Sequence, residues 1–170
     1  MHVMIATDGS IDTAKAVAIA SRLTHAEGLV TVYTAVVVPR GMLNEMRAAS
    51  GDPAAERARE LSVEYRTTPA GDTPASHWIG DDSILERYVS SKVKERTASL
   101  AEALDAVGAN YEVVGEESEN AARSVLAAVD ARNVQVLCIG THGQGRFEGL
   151  LGSLSTKVSR HAPCSVVLVR

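Results

Sequence analysis

The chain of 170 residues suits one compact domain with a real core, and 45% apolar with 22% charged residues excludes disorder throughout. Seventeen basic against twenty-one acidic residues give a net charge of −4 with no Lys/Arg cluster, and aromatics are only 4%, so neither a phosphate-backbone grip nor a base-stacking platform for nucleic acid is expected. No stretch reaches membrane-spanning length and Met1–Ala6 is not a basic leader, so the expectation is a soluble cytoplasmic protein without a nucleic-acid or membrane partner.

The first apolar run, His2 to Thr7, meets the turn-forming Asp8-Gly9-Ser10 and predicts a strand. A helix follows from about Ser10 or Asp12 to Glu27, with Ala16, Ile19, Ala20 and Leu23 as its core stripe and Gly28 as its stop. Leu29 to Val38 is rich in β-branched residues and predicts a second strand. Strand, helix, strand is the unit that makes a parallel pair. The region from Gly41 to Asp82 reads as a surface insertion in a single domain spanning 1–170, because it lacks an apolar set for its own core. Short helices around 42–49 and 54–65 and a loop over 66–81 are expected there, with Trp78 as a local anchor.

Asp82 or Ser83 is placed to cap a long helix reaching Val107, with Ile84, Leu85, Tyr88, Val93, Leu100 and Leu104 available for burial. Gly108 ends it. A third strand is expected at 110–114, a helix at 119–132 burying Ala122, Val125, Leu126 and Val129, and a fourth strand at 134–139. A helix at 153–161, broken by Pro163, and a fifth strand at 165–169 complete the chain. Five strands separated by helices imply an α/β fold, a parallel sheet covered on both faces. The last strand should lie at a sheet edge. Cys138 and Cys164 sit in or beside strands and read as packed thiols at opposite ends of neighbouring strands, too distant for a disulfide.

Between the fourth strand and the last helix lies the run from Gly140 to Ser155, with five glycines within thirteen residues. Glycines let main-chain N–H groups converge on one point, and the helix start adds partial positive charge. Ser153 and Ser155 bring hydroxyls to the same place, so the segment predicts a phosphate site. Two familiar motifs are missing. The Gly152-Ser153 pair lacks the lysine of a P-loop, and Glu148 stands where a dinucleotide fingerprint needs glycine.

Met4-Ile5-Ala6-Thr7-Asp8-Gly9-Ser10 before an Ala-rich helix, the run from Gly140 to Ser155, and the ending Pro163-Cys164-Ser165-Val166-Val167-Leu168-Val169 together resemble the universal stress protein family. The ATP-binding branch of that family carries G-x2-G-x9-G-[ST]. Gly140 and Gly143 fit, but eight residues separate Gly143 from Gly152, so the motif is one residue short. The resemblance implies a Rossmann-like sheet of order 3-2-1-4-5, of the adenine nucleotide alpha hydrolase kind. Asp8 after strand one and Gly140 after strand four would then meet at the switch point where ligands favour binding.

Carried over residue by residue, the resemblance implies that Asp8 bonds the ribose, Ala6 and Thr7 line the base side, and main-chain groups of Val36 meet the adenine edge. Gly140, Thr141, His142, Gly143, Gln144 and Gly145, with Gly152, Ser153, Leu154 and Ser155, would hold the phosphates. Arg146 is a further candidate. ATP, or another adenine nucleotide, would bring Mg²⁺ with it. It also implies a homodimer through the C-terminal edge strand, an exposed apolar edge being open to pairing. No base to activate water is identifiable, so the expected role is a nucleotide-binding stress or signalling module, at most a slow ATPase and not otherwise an enzyme. The alternatives are a dimeric interaction protein that has lost nucleotide, or a binder of AMP or a cyclic nucleotide. Asp8 could instead cap the first helix or its turn, Ser10 reads as a cap, and His25, His77 and His161 have no metal-ligand spacing.

Overall fold

The computed structural model describes residues 1–24, 28–38, 79–141 and 152–170, and over 79–84 the backbone alone. Contacts divide the chain into two units, Met1–Val37 with Val89–Arg170, and Val38–Tyr88. Of the second unit only Val38 and positions 79–88 of a helix are described. The short helices expected around 42–49 and 54–65 lie outside the described residues, as does Trp78.

In chain order the elements are β1 (His2–Ala6), α1 (Thr13–Thr24), β2 (Leu29–Val37), α2 (Ile79–Ala106), β3 (Tyr111–Ser118), α3 (Ala121–Ala131), β4 (Val136–Gly140), α4 (Ser153–His161) and β5 (Ser165–Val169). The five strands form one parallel sheet in the order β3-β2-β1-β4-β5, as the resemblance implied, with β5 at an edge. The chain winds outward from the β1–β4 pair in both directions, which leaves a crevice at their carboxyl ends.

Alternation along the strands divides the core in two. Val3 and Ile5 of β1 pack with Val30 and Val32 of β2 against Ala16, Val17 and Ala20 of α1 and Leu100 and Leu104 of α2. Met4 and Ala6 face the other way, with Tyr33 and Leu137, against Val125 and Val129 of α3 and Val158 of α4. Both faces of the sheet are therefore covered by helices. In α1 the buried positions are Ala16, Val17, Ala20 and Thr24, while the expected Ile19 and Leu23 are only partly buried. Cys138 and Cys164 are both free.

Several element boundaries differ from the sequence reading, with α3 at Ala121–Ala131 and β4 at Val136–Gly140 where 119–132 and 134–139 were expected, and three others have a visible cause. Helix α2 begins at Ile79, so positions 79–81, expected as loop, are helical, and Asp82 and Ser83 lie inside the helix instead of capping it. Strand β3 runs four residues past 114, because β2 offers a register partner to every residue from Tyr111 to Ser118. Gly115 makes this approach possible, since a Cβ there would stand 2.0 Å from Val93 Cγ2 of α2. Finally, α1 starts at Thr13. Asp12 caps it, its carbonyl accepting from Ala16 N at 2.9 Å and its Oδ1 from Lys15 N at 3.0 Å. Ser10, expected as a cap residue, bonds Asp8 instead.

Candidate functional site

At the carboxyl ends of β1 and β4 lies a cavity of about 310 Å³. One wall is the β1–α1 turn. The last ladder bond of β1 runs from Thr7 N to Tyr33 O at 2.9 Å, after which the chain leaves the sheet. Asp8 Oδ1 accepts from Ser10 N at 3.0 Å and from the Ser10 hydroxyl, an Asx-turn that fixes the carboxylate at the rim. Gly9 N donates to Thr7 Oγ1 at 2.9 Å, and Gly9 holds φ +95°, where an L side chain is strained. Asp8 thus shapes its own turn and leaves the capping of α1 to Asp12. Three positions on, the Lys15 N–H and then its ammonium hold the Asp12 carboxyl below its usual range.

The opposite wall is the start of α4. Thr141 N donates to Val169 O at 3.0 Å and Gly152 N to Thr141 O at 2.9 Å, so the chain re-enters the sheet margin beside the residue where it left. Ser155 is buried, and its Oγ donates to Gly140 O at 2.6 Å, which locks the helix onto the end of β4. The N-cap of α4 is Gly152, with φ −58° and ψ 155°, and it supplies no side-chain cap. By contrast α1 is capped by Asp12 and α3 by Asn120, whose side chain accepts from Arg123 N at 3.2 Å. Gly152 therefore offers the first-turn N–H groups of α4 no capping side chain, and Gly152, Ser153, Leu154 and Ser155 all line the cavity.

The floor is apolar with one polar corner. Ala6, Ile11, Ala35, Val125 and Ile139 surround fully buried Tyr33, whose hydroxyl donates to Glu116 Oε1. Burial, and then the Glu116 carboxylate, push the Tyr33 phenol well above its ordinary range, so it remains a neutral donor. Beside it Ser118 Oγ pairs with Ser124 Oγ at 2.7 Å and accepts from Asn120 N at 2.9 Å. An apolar slot of this size, flanked by a carboxylate and an uncapped helix start, has the shape and polarity for a small planar apolar group bearing an anion.

Of the residues expected at the site, Ala6, Thr7, Asp8, Gly140, Gly152, Ser153, Leu154 and Ser155 line this cavity together. Thr141 is buried beside them. Val36 is fully buried and is not among the lining residues, whereas its neighbour Ala35 is. His142, Gly143, Gln144, Gly145 and Arg146 lie outside the described residues. Sequence reasoning missed Ser10, Ile11, Tyr33, Ala35, Ala121, Val125 and Ile139 as lining. Tyr33 carried a usable clue, the one aromatic in a strand of small β-branched residues.

Comparison with known proteins agrees with the fold. The family model for the universal stress protein family matches residues 1–170. A universal stress protein of Mycolicibacterium smegmatis is 32% identical over 126 residues, 71% of this chain and 43% of that protein, so the chain spans less than half of that relative's length. Among solved structures, a universal stress protein in complex with cAMP is similar at a TM-score of 0.55 and 16% identity, covering 100% of this chain and 96% of its own. A family protein from Arabidopsis thaliana with AMP bound is similar at 0.55 and 11%, covering 99% and 90%.

Proposed function

We propose that this chain, which belongs to the universal stress protein family, binds an adenine nucleotide in the cavity at the carboxyl ends of β1 and β4 and acts through the bound state and not through rapid turnover. One observation carries the reading. The uncapped start of α4 and the Asp8 carboxylate, from opposite ends of the sequence, open into the same apolar cavity. The helix start, with no capping side chain on Gly152, favours a phosphate by its first-turn N–H groups and its dipole. Asp8 supplies an acceptor for ribose hydroxyls across the cavity from it. Tyr33, Ala35, Val125 and Ile139 offer the apolar surface that a base would cover.

Ser153 is the hydroxyl suited to donate to a phosphate, being exposed at the helix start. Ser155 acts as a positioning residue, its proton being committed to Gly140 O. Gly152 and Ser153 line the cavity, with the motif one residue short of the family's spacing. Among the described residues no cluster of three or more His, Cys, Asp or Glu could hold a metal, so Mg²⁺ would come on the phosphates with most of its waters. We assign no general base, which limits ATP hydrolysis to a slow side reaction. Pairing of two copies through the β5 edge, and a cytoplasmic role in stress response, belong to the same proposal.

Calorimetric titration with ATP, ADP, AMP and cAMP tests it. Saturable binding of at least one with millimolar or tighter affinity is the expected result. Absence of binding to all four at millimolar concentration refutes it, and leaves a protein that acts through its surfaces alone.

A further inference from the structure

We propose that Arg96 of α2 is the positioning residue for the nucleoside side of the cavity, setting the end of β2 and the Asp8 turn against each other; this rests on the nucleotide reading above. Tyr33 O and Ala35 O, two residues apart on β2, point the same way, toward β1. Tyr33 O takes its ladder bond from Thr7 N. The next donor in register would be Gly9 N, but β1 has ended, and that N–H goes to Thr7 Oγ1. Ala35 O is left without a ladder partner at the cavity wall. The Arg96 guanidinium fills the vacancy, Nη1 donating to Ala35 O at 3.0 Å.

The same side chain also runs beside the Asp8 turn. A Cβ on Gly9 would lie 3.4 Å from Arg96 Cγ and 3.5 Å from Arg96 Cα, so the arginine stem faces the turn between Asp8 and Ser10 with no more than the room of a methyl group between them. Asp8, Ser10 and Ala35 all line the cavity. Arg96 itself is half-buried and lines none of it. One residue from a distant helix therefore spans the gap that opens where β1 leaves β2. Its head holds the Ala35 carbonyl, and its stem backs the carboxylate-bearing turn at Gly9.

A planar guanidinium at the end of an apolar stem suits both tasks, which few other side chains could perform together. The consequence is selective. Losing Arg96 loosens the base and ribose walls but leaves the start of α4, where phosphate is held, untouched.

The test compares AMP with inorganic tripolyphosphate on the unaltered chain and on R96M, which keeps the stem and removes the donor. The expected result is AMP binding weakened about tenfold in R96M, with tripolyphosphate binding changed less than about twofold. R96K, which returns a donor to the end of the stem, should recover most of the AMP affinity. Should R96M not fold, R96L carries the same comparison. Equal weakening of both ligands, or none of either, overturns the assignment of Arg96 while the nucleotide reading stands. If the unaltered chain binds neither ligand, the nucleotide reading falls and the role of Arg96 falls with it.

Discussion

The two ends of the sheet are built on opposite plans. At the amino ends of the strands the polar groups satisfy one another. His2 Nδ1 pairs with Arg132 O at 3.0 Å and its Nε2 with Thr31 Oγ1 at 2.7 Å. Thr31 Oγ1 donates to Glu112 Oε1 at 2.8 Å, and Arg132 Nη1 reaches the same carboxylate oxygen. Gln135 N closes the margin by donating to His2 O at 3.0 Å. At the carboxyl ends, the strands open into a cavity whose helix start has no side-chain cap. A protein interior pairs its polar groups wherever it can. On the proposed reading, the end whose helix start has no side-chain cap is the end that binds, and the closed end holds the fold together.

This contrast can be broken from either side. The largest effect is expected at the closed end. A Cβ on Gly28 would stand 2.2 Å from Thr24 O and 2.7 Å from Met1 O, so Gly28→Ala forces backbone apart. We expect a loss of about 3 kcal/mol in denaturant unfolding, with AMP affinity of the folded fraction unchanged. Next comes the open end. Asp8→Ala should weaken AMP binding by about tenfold or more, a change of about 1.4 kcal/mol, while unfolding stability moves by about 1 kcal/mol at most.

A third substitution turns the open end into the closed kind. Gly152→Asp places a capping carboxylate at the start of α4, where φ −58° suits any residue. Stability should rise by about 0.5 kcal/mol through the cap and the dipole, while nucleotide binding falls because the new carboxylate competes for the same N–H groups. Calorimetry beside thermal unfolding would record those opposite signs. A rise in both refutes the site.

The last effect lies between the two ends, at Cys138, and is confined to high pH. Burial pushes this thiol up to about 11 from its ordinary value of 9.0. The unfolded chain loses that proton near the ordinary value, and the native chain keeps it until near 11. Its contribution to stability is therefore complete below about 9 and is lost as pH rises toward 11. Urea midpoints should fall across that window, and iodoacetamide should leave Cys138 unmodified in native protein at pH 8.

Much of the architecture was legible because hydrophobic periodicity and turn residues are local. The strand–helix alternation, Gly108 after α2, and Ser153 at the start of α4 all read directly from the chain. The meeting of Asp8 with Gly140 and Ser153 was foreseeable once family likeness supplied the strand order. What escaped depended on partners distant in sequence. The Gly115-Glu116-Glu117 stretch has no intrinsic strand preference and is extended because β2 pairs with it. Ser10 and Asp12 are both competent caps, and only the folded turn around Asp8 decides between them. Tyr33 and Ala35 enter the cavity wall because β1 stops at Ala6 while β2 runs on to Val37. Arg96 did leave a trace. It falls between Val93 and Leu100 on the stripe that α2 buries, where a solvated charge is out of place.

The central claim, that binding belongs to the carboxyl end of the sheet and structure to the amino end, is tested most directly by following backbone amide resonances during titration with AMP. The account predicts shifts at Thr7, Asp8, Gly9 and Ser10 and at Gly152, Ser153, Leu154 and Ser155, with His2, Thr31, Glu112 and Arg132 unmoved. Shifts centred on that second group, or no shift anywhere at millimolar AMP, would contradict it.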